Sequence, residues 1–87
     1  MTTYGIPVWS TAMTTDNPAV AVGLRVRQAL LDRGISQVQV AEALGIAQSQ
    51  VSRRLAGSLA FDVVELATVA RLCGVDAAEF LTEDVTA

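Results

Sequence analysis

From residue 22 onward, apolar residues recur at three- and four-residue spacing, and no stretch alternates as a half-buried strand would. Val22, Val26, Ala29 and Leu30 line one face of a first helix, and Arg33 closes that face in the last turn. Asn17-Pro18 supplies its start. Asn is a good cap, and proline tolerates the first helical position because its missing N–H has no partner there anyway. Gly34 is placed to end it in a left-handed conformation. Three later starts are marked by paired capping residues: Ser36 with Gln39, Asp62 with Glu65, and Asp76 with Glu79. Gly45, Gly57 and Gly74 are set to end the second, third and fourth helices. The pattern predicts an all-α fold of five helices, joined by loops of about two to five residues as in a compact bundle. Residues 1–17 carry no helical period. They are Thr-rich, with Tyr4, Ile6, Val8 and Trp9 around Gly5 and Pro7, and read as a flexible arm. The folded domain is expected over residues 18–82, with a disordered acidic tail at 83–87.

The segment from Ser36 to Gly57 holds the most specific pattern. Val40 and Leu44 share a face of the second helix, Val51 and Leu55 a face of the third, and Ile46 can plug the angle between them. Ala41 is small where two crossing helices must approach, and Gly45 can take the positive φ of a sharp turn. At about 100° per residue, pointing Val51 and Leu55 inward turns Ser49, Gln50 and Arg53 outward, with Gln48 at the exposed N-terminal end. Such a helix, set in a DNA major groove, offers amide groups to adenine and guanidinium to guanine. Gln48, Ser49, Gln50 and Arg53 are therefore the candidate base contacts. Ser36 and Gln37 at the start of the second helix, Arg54 on the flank of the third and Ser58 just after it are the candidate phosphate contacts.

Charge complicates this picture and then supports it. The net charge is −3, unlike that of many nucleic-acid binders. All six basic residues are arginine, however, and residues 20–57 carry five of them against two acids, a net +3. Residues 58–87 carry one arginine against six acids, a net −5. A basic front and an acidic back suit a molecule that approaches DNA with one face. Arg25, Arg27 and Arg33 are expected as surface charges, pairing with Asp32 or Glu42.

Other chemistry has little to stand on. The chain has no histidine and one cysteine, so catalysis, a metal site and an intramolecular disulfide all lack their usual residues. No catalytic residue, metal, cofactor or small-molecule substrate is expected, and Cys73 reads as a small apolar core residue. With no apolar run long enough for a bilayer and no secretory signal, a cytoplasmic protein is expected, with no membrane partner.

The Ser36–Gly57 stretch resembles the helix-turn-helix of the phage lambda repressor and Cro family, also called Xre-like. Gln37 stands where members usually begin the motif, followed by Ala41 at its fifth position, Gly45 at its ninth and the aliphatic Val51 at its fifteenth. Flanking runs extend the likeness over residues 20–81, about 70% of the chain. The resemblance implies a lambda-repressor-like five-helix bundle with base contacts at the start of the third helix and one turn later, here Gln48, Ser49, Gln50 and Arg53. Three departures stand out. Ala47 replaces the usual Ser/Thr cap of the third helix. Leu30 and Leu55 replace an ion pair found in several relatives, which implies an apolar contact. Arg54 replaces a partly buried aliphatic residue, which implies either a tilted third helix or a side chain reaching outward to phosphate.

The expected function is that of a sequence-specific DNA-binding transcriptional regulator of bacterial or bacteriophage type. It is expected to be a Cro-like repressor that occludes a promoter. Such proteins bind a double-stranded operator as homodimers, here through the fifth helix (Phe80, Leu81) or the arm around Trp9. Leu24 and Leu31, beside the apolar face of the first helix, are expected to lie under the arm or a second subunit. The alternative is an antitoxin-like protein-interaction module that autoregulates its operon.

Overall fold

The computed structural model describes residues 17–81. The expected arm, with Tyr4 and Trp9, and the acidic tail lie outside them. Five helices follow in order: α1 (Pro18–Arg33), α2 (Gln37–Leu44), α3 (Gln48–Ala56), α4 (Val63–Cys73) and α5 (Ala78–Leu81). Among the described residues there is no strand. The helix starts follow from the capping chemistry. Asn17 Oδ1 accepts from the Val20 N–H at 3.3 Å, with proline at the first helical position. Ser36 and Gln39 form a reciprocal capping box, and so do Asp62 and Glu65.

The third expected box does not form. Asp76 Oδ1 accepts from the Ala78 N–H at 3.0 Å, and the Glu79 N–H goes to the Asp76 carbonyl at 2.9 Å. The tight turn brings Ala78 closer to the aspartate than Glu79, and α5 is left as a single turn. Its function in the fold is to deliver Phe80, which is 2% exposed, into the core. Arg25 holds it there, donating from Nη1 to the Phe80 carbonyl at 3.3 Å.

The core gathers the apolar faces of all five helices: Val26 and Leu30, Val40 and Ala41, Val51 and Leu55, Leu66 and Val69, and Phe80. Burying each large side chain contributes about 1.5–3 kcal/mol relative to exposure. Leu30 and Leu55 belong to the same buried cluster, in keeping with an apolar contact in place of an ion pair. Cys73 lies buried in it too, and burial pushes its thiol above the ordinary range against a smaller opposing pull from Arg33.

α1 and α3 approach closely at Gly23. Gly23 is buried in the middle of α1, and a Cβ built there would run into the Leu55 carbonyl oxygen and come within 2.9 Å of the Arg54 carbonyl. Gly57, which ends α3 at φ +87°, faces the start of α1, where a Cβ would lie 2.5 Å from Val20 Cγ2. Both glycines therefore let two backbones meet, and Gly57 also supplies a positive φ.

An alanine in a helix interior ordinarily stabilises relative to glycine by about 1 kcal/mol. At position 23 the sign reverses, because the obstacle is backbone that cannot rotate away. Gly23→Ala should destabilise the domain by about 1–3 kcal/mol, the usual cost of overpacking. Thermal melts of the two proteins check this, and a variant melting at or above the parent temperature would refute the close approach. Alkylation provides an independent readout: buried Cys73 should react in step with global unfolding, and faster in Gly23→Ala.

Candidate nucleic-acid interface

The site is built on α3, the most strongly amphipathic of the four longer helices. Val51 and Leu55 are 0% and 2% exposed and anchor its inner side. The turn that precedes it is set by Gly45 at φ +70°, whose N–H bonds back toward α2 while the Ile46 N–H donates to the Ala41 carbonyl at 3.1 Å. Half-buried Ile46 packs against the core from this turn, and Ala41 is buried where α2 meets the neighbouring helices.

With its inner side fixed, α3 turns Ser49 and Arg53 outward, and both are exposed, as is Gln48 at the N-terminal end. Among the described residues, none of these three side chains has a hydrogen bond or ion pair within the protein. Ala47 makes no side-chain cap, as the missing Ser/Thr implied.

The two flanks of α3 are held by neighbours. On one, Ser52 Oγ donates to Gln37 Oε1 at 2.8 Å, tying α3 to the first residue of α2. On the other, Arg54 Nε donates to Glu65 Oε1 at 3.1 Å, tying α3 to the first turn of α4. These side chains are only 16% and 17% exposed. Arg54 Nη1 also donates to the Gln50 carbonyl at 3.1 Å and to Gln50 Oε1 at 3.3 Å.

Arg54 thus departs from the expectation of a cation free to reach outward. It lies along the helix surface, its stem in the space of an aliphatic residue and its charge met by Glu65. Gln50 is half-buried and tied to it, so of the four candidate base contacts it alone is constrained from within. Of the candidate phosphate contacts, Ser36 and Ser58 are exposed. Ser36 Oγ accepts from the Gln39 N–H at 3.1 Å, and Gln37 is half-buried and bonded to Ser52.

The other arginines do not pair as expected. Asp32 accepts from Gln28 Nε2 at 2.9 Å, and among the described residues the ion pair is Arg54–Glu65. Arg25 serves α5, and the Arg33 guanidinium lies beside Gly74, at the C-terminal end of α4 where a positive charge suits the helix dipole. The expected use of Phe80 in a dimer contact is also overturned for its side chain, which is in the core, whereas Leu81 is 59% exposed.

Sequence reasoning took Glu65 only as a capping residue and passed over Gly23 and Ser52. An isolated glycine inside a helical pattern is itself a signal of close packing. Nothing in the sequence marks the Glu65–Arg54 or Ser52–Gln37 contacts, which join residues 11 and 15 positions apart.

Residues 26–80 match the helix-turn-helix family. The chain belongs to that family, in its Cro/C1-type, Xre-like form. No curated protein matches the chain, and neither does any solved structure. This helix-turn-helix family is one of DNA-binding regulatory domains rather than enzymes, and the chain is a DNA-binding regulator of the Cro/C1 type. Its α2 and α3, joined by the tight Gly45 turn, form a helix-turn-helix, and on α3 the exposed Gln48, Ser49 and Arg53 have no side-chain partner among the described residues. Among the described residues no helix is long and apolar enough to cross a membrane.

A double-mutant cycle with Arg54→Met and Glu65→Gln tests the clasp between α3 and α4. Because both groups are largely shielded, a coupling energy of about 0.5–3 kcal/mol is expected, persisting at high salt. Additivity within about 0.3 kcal/mol would mark the contact as an inconsequential surface pair.

Proposed function

We propose that this protein is a Cro-like or phage-type repressor. It inserts α3 into the major groove of a specific operator and silences a promoter by occupying it. The observation that carries the reading is the outer face of α3. Gln48, Ser49 and Arg53 are exposed and unengaged by the described residues, on a helix whose inner side is fixed by Val51 and Leu55. Arg53 suits guanine, and Gln48 at the N-terminal end suits adenine. Ser36, Gln37 and Ser58 flank this face as donors to phosphate. Arg54 stays in the phosphate set through its Nη2 group alone, because Nε and Nη1 are engaged by Glu65 and Gln50.

Palindromic binding requires a second copy. Exposed Leu81 adjoins an apolar cavity of about 330 Å³ lined by Pro18, Val22, Phe61 and Leu66, and this end of the bundle is the surface we assign to homodimer contact. The antitoxin-like reading draws on a different surface. Leu24 and Leu31, two turns apart on α1, are 58% and 69% exposed and would suit a protein partner. Stoichiometric co-purification with such a partner would favour that reading.

Selection of bound sites from random duplexes tests the main proposal. The expected product is a palindrome whose half-sites lie about one helical turn, roughly 10 base pairs, apart. Arg53→Ala should weaken binding to that site by about 1–3 kcal/mol and relax the preference at one base pair per half-site. Recovery of no enriched sequence, or an Arg53→Ala variant with undiminished affinity, would overturn the assignment.

A further inference from the structure

At the end of the bundle where α1 begins, the core is left open. The cavity of about 330 Å³ there is walled by Pro18, Val22, Ala60, Phe61, Leu66 and Leu81. Val22 and Phe61 pack against the core, and Leu66 is part of it. No charged residue lines the hollow, and the polar side chain at its edge, Asn17, accepts from the Val20 N–H at 3.3 Å as the helix cap. Water in such a space finds few hydrogen-bond partners, so an apolar side chain is the occupant it suits. Asn17 and Leu81 both line it, so the chain enters and leaves the described bundle at this point. The six residues after Leu81 are Thr-Glu-Asp-Val-Thr-Ala, with two carboxylates and one sizeable apolar side chain. The sixteen before Asn17 are of another kind. Their one charged side chain is Asp16, and they include Tyr4, Ile6, Val8, Trp9 and Met13. The only tryptophan and the only tyrosine of the chain are both among them.

We propose that the segment from Tyr4 to Trp9 folds back within its own chain and seats Trp9 in this cavity, beside Phe61. Eight residue steps separate Trp9 from Asn17 and span at most about 26–29 Å. A cavity that begins at Asn17 lies well inside that reach. The tether holds Trp9 near the opening at an effective concentration in roughly the millimolar range, which a second copy at ordinary protein concentration does not match. An aromatic side chain buries about 150–250 Å² and gains further from a second ring at its edge or face, here Phe61. The seat does not depend on how α3 meets DNA. It does refine the homodimer surface. With the hollow filled from within the same chain, a second copy meets Leu81 and the outer side of the arm.

The single tryptophan makes the test direct. In the full-length protein, Trp9 emission should be blue-shifted relative to the urea-unfolded chain and shielded from acrylamide. Both properties should hold across a dilution series that reaches the monomer, as followed by sedimentation. Ala60→Glu puts a carboxylate on an exposed wall of the hollow without removing a core side chain. It lies just before α4, where negative charge suits the helix start. This variant should return Trp9 emission to its unfolded value while the far-UV helical signal stays. Trp9→Ala should lower the melting temperature by about 4–8 °C, a shift on the scale of a domain this size, and should have no effect in the Ala60→Glu background. Such non-additivity assigns the two positions to one contact. Three results overturn the inference. Trp9 as red and as open to quenching as in urea shows that it has no seat. A blue shift lost on dilution, in step with dimer dissociation, puts the arm of a second copy in the hollow. A Trp9 still shielded in Ala60→Glu places the arm elsewhere, such as against exposed Leu24 and Leu31. A protein that is monomeric throughout, with Trp9 shielded, upholds the seat and removes the homodimer assignment alone.

Discussion

Everything on the outer surface of α3 depends on how closely its backbone lies against α1. The absence of a side chain at Gly23 lets the Leu55 carbonyl reach the α1 backbone, and Gly57 lets the end of α3 turn against Val20. These two contacts bracket the C-terminal half of α3 and place Val51 and Leu55 in the core. A helix of nine residues is too short to be stable by propensity alone. It is held in place by this crossing together with the shared core and its bonds to α2 and α4. A change of helix rotation would exchange the exposed set for the clasped one.

Around that axis eight of the nine residues of α3 divide into three groups. Val51 and Leu55 face inward. Ser52 on one flank and Gln50 with Arg54 on the other are engaged by α2 and α4. Ser49, Arg53 and the N-terminal Gln48 are left to solvent. The two clasps resist rolling in either direction, so the exposed group keeps a fixed aim without any ligand present. Such pre-organisation spares a binding helix the cost of ordering itself on contact.

The electrostatic design is sparing. Glu65 neutralises Arg54, Arg25 is committed to the carbonyl of Phe80, and Arg33 lies at the end of α4. Among the described residues, Arg53 is the α3 cation without a partner inside the protein. A chain with a net charge of −3 gains little from indiscriminate attraction to phosphate, and the exposed groups of α3 are an amide, a hydroxyl and one guanidinium.

The sequence by itself determined the number of helices and nearly all their limits, because capping and chain reversal are local events written in residues three or four apart. Asn17-Pro18, Ser36 with Gln39 and Asp62 with Glu65 start helices where the side chains say they must, and Gly34, Gly45, Gly57 and Gly74 end them. The burial of Val51 and Leu55, and hence the outward set on α3, was equally legible, since helical period fixes which residues share a face. Asp76 with Glu79 failed because a turn geometry closer than the pattern brought a nearer N–H to the aspartate. Tertiary structure alone decided that Arg54 belongs to Glu65, that Gln50 is held by Arg54, that Ser52 meets Gln37, and that Phe80 is core rather than surface. Each of these depends on the angle at which separate helices cross, and that angle is set by packing among residues far apart in the chain.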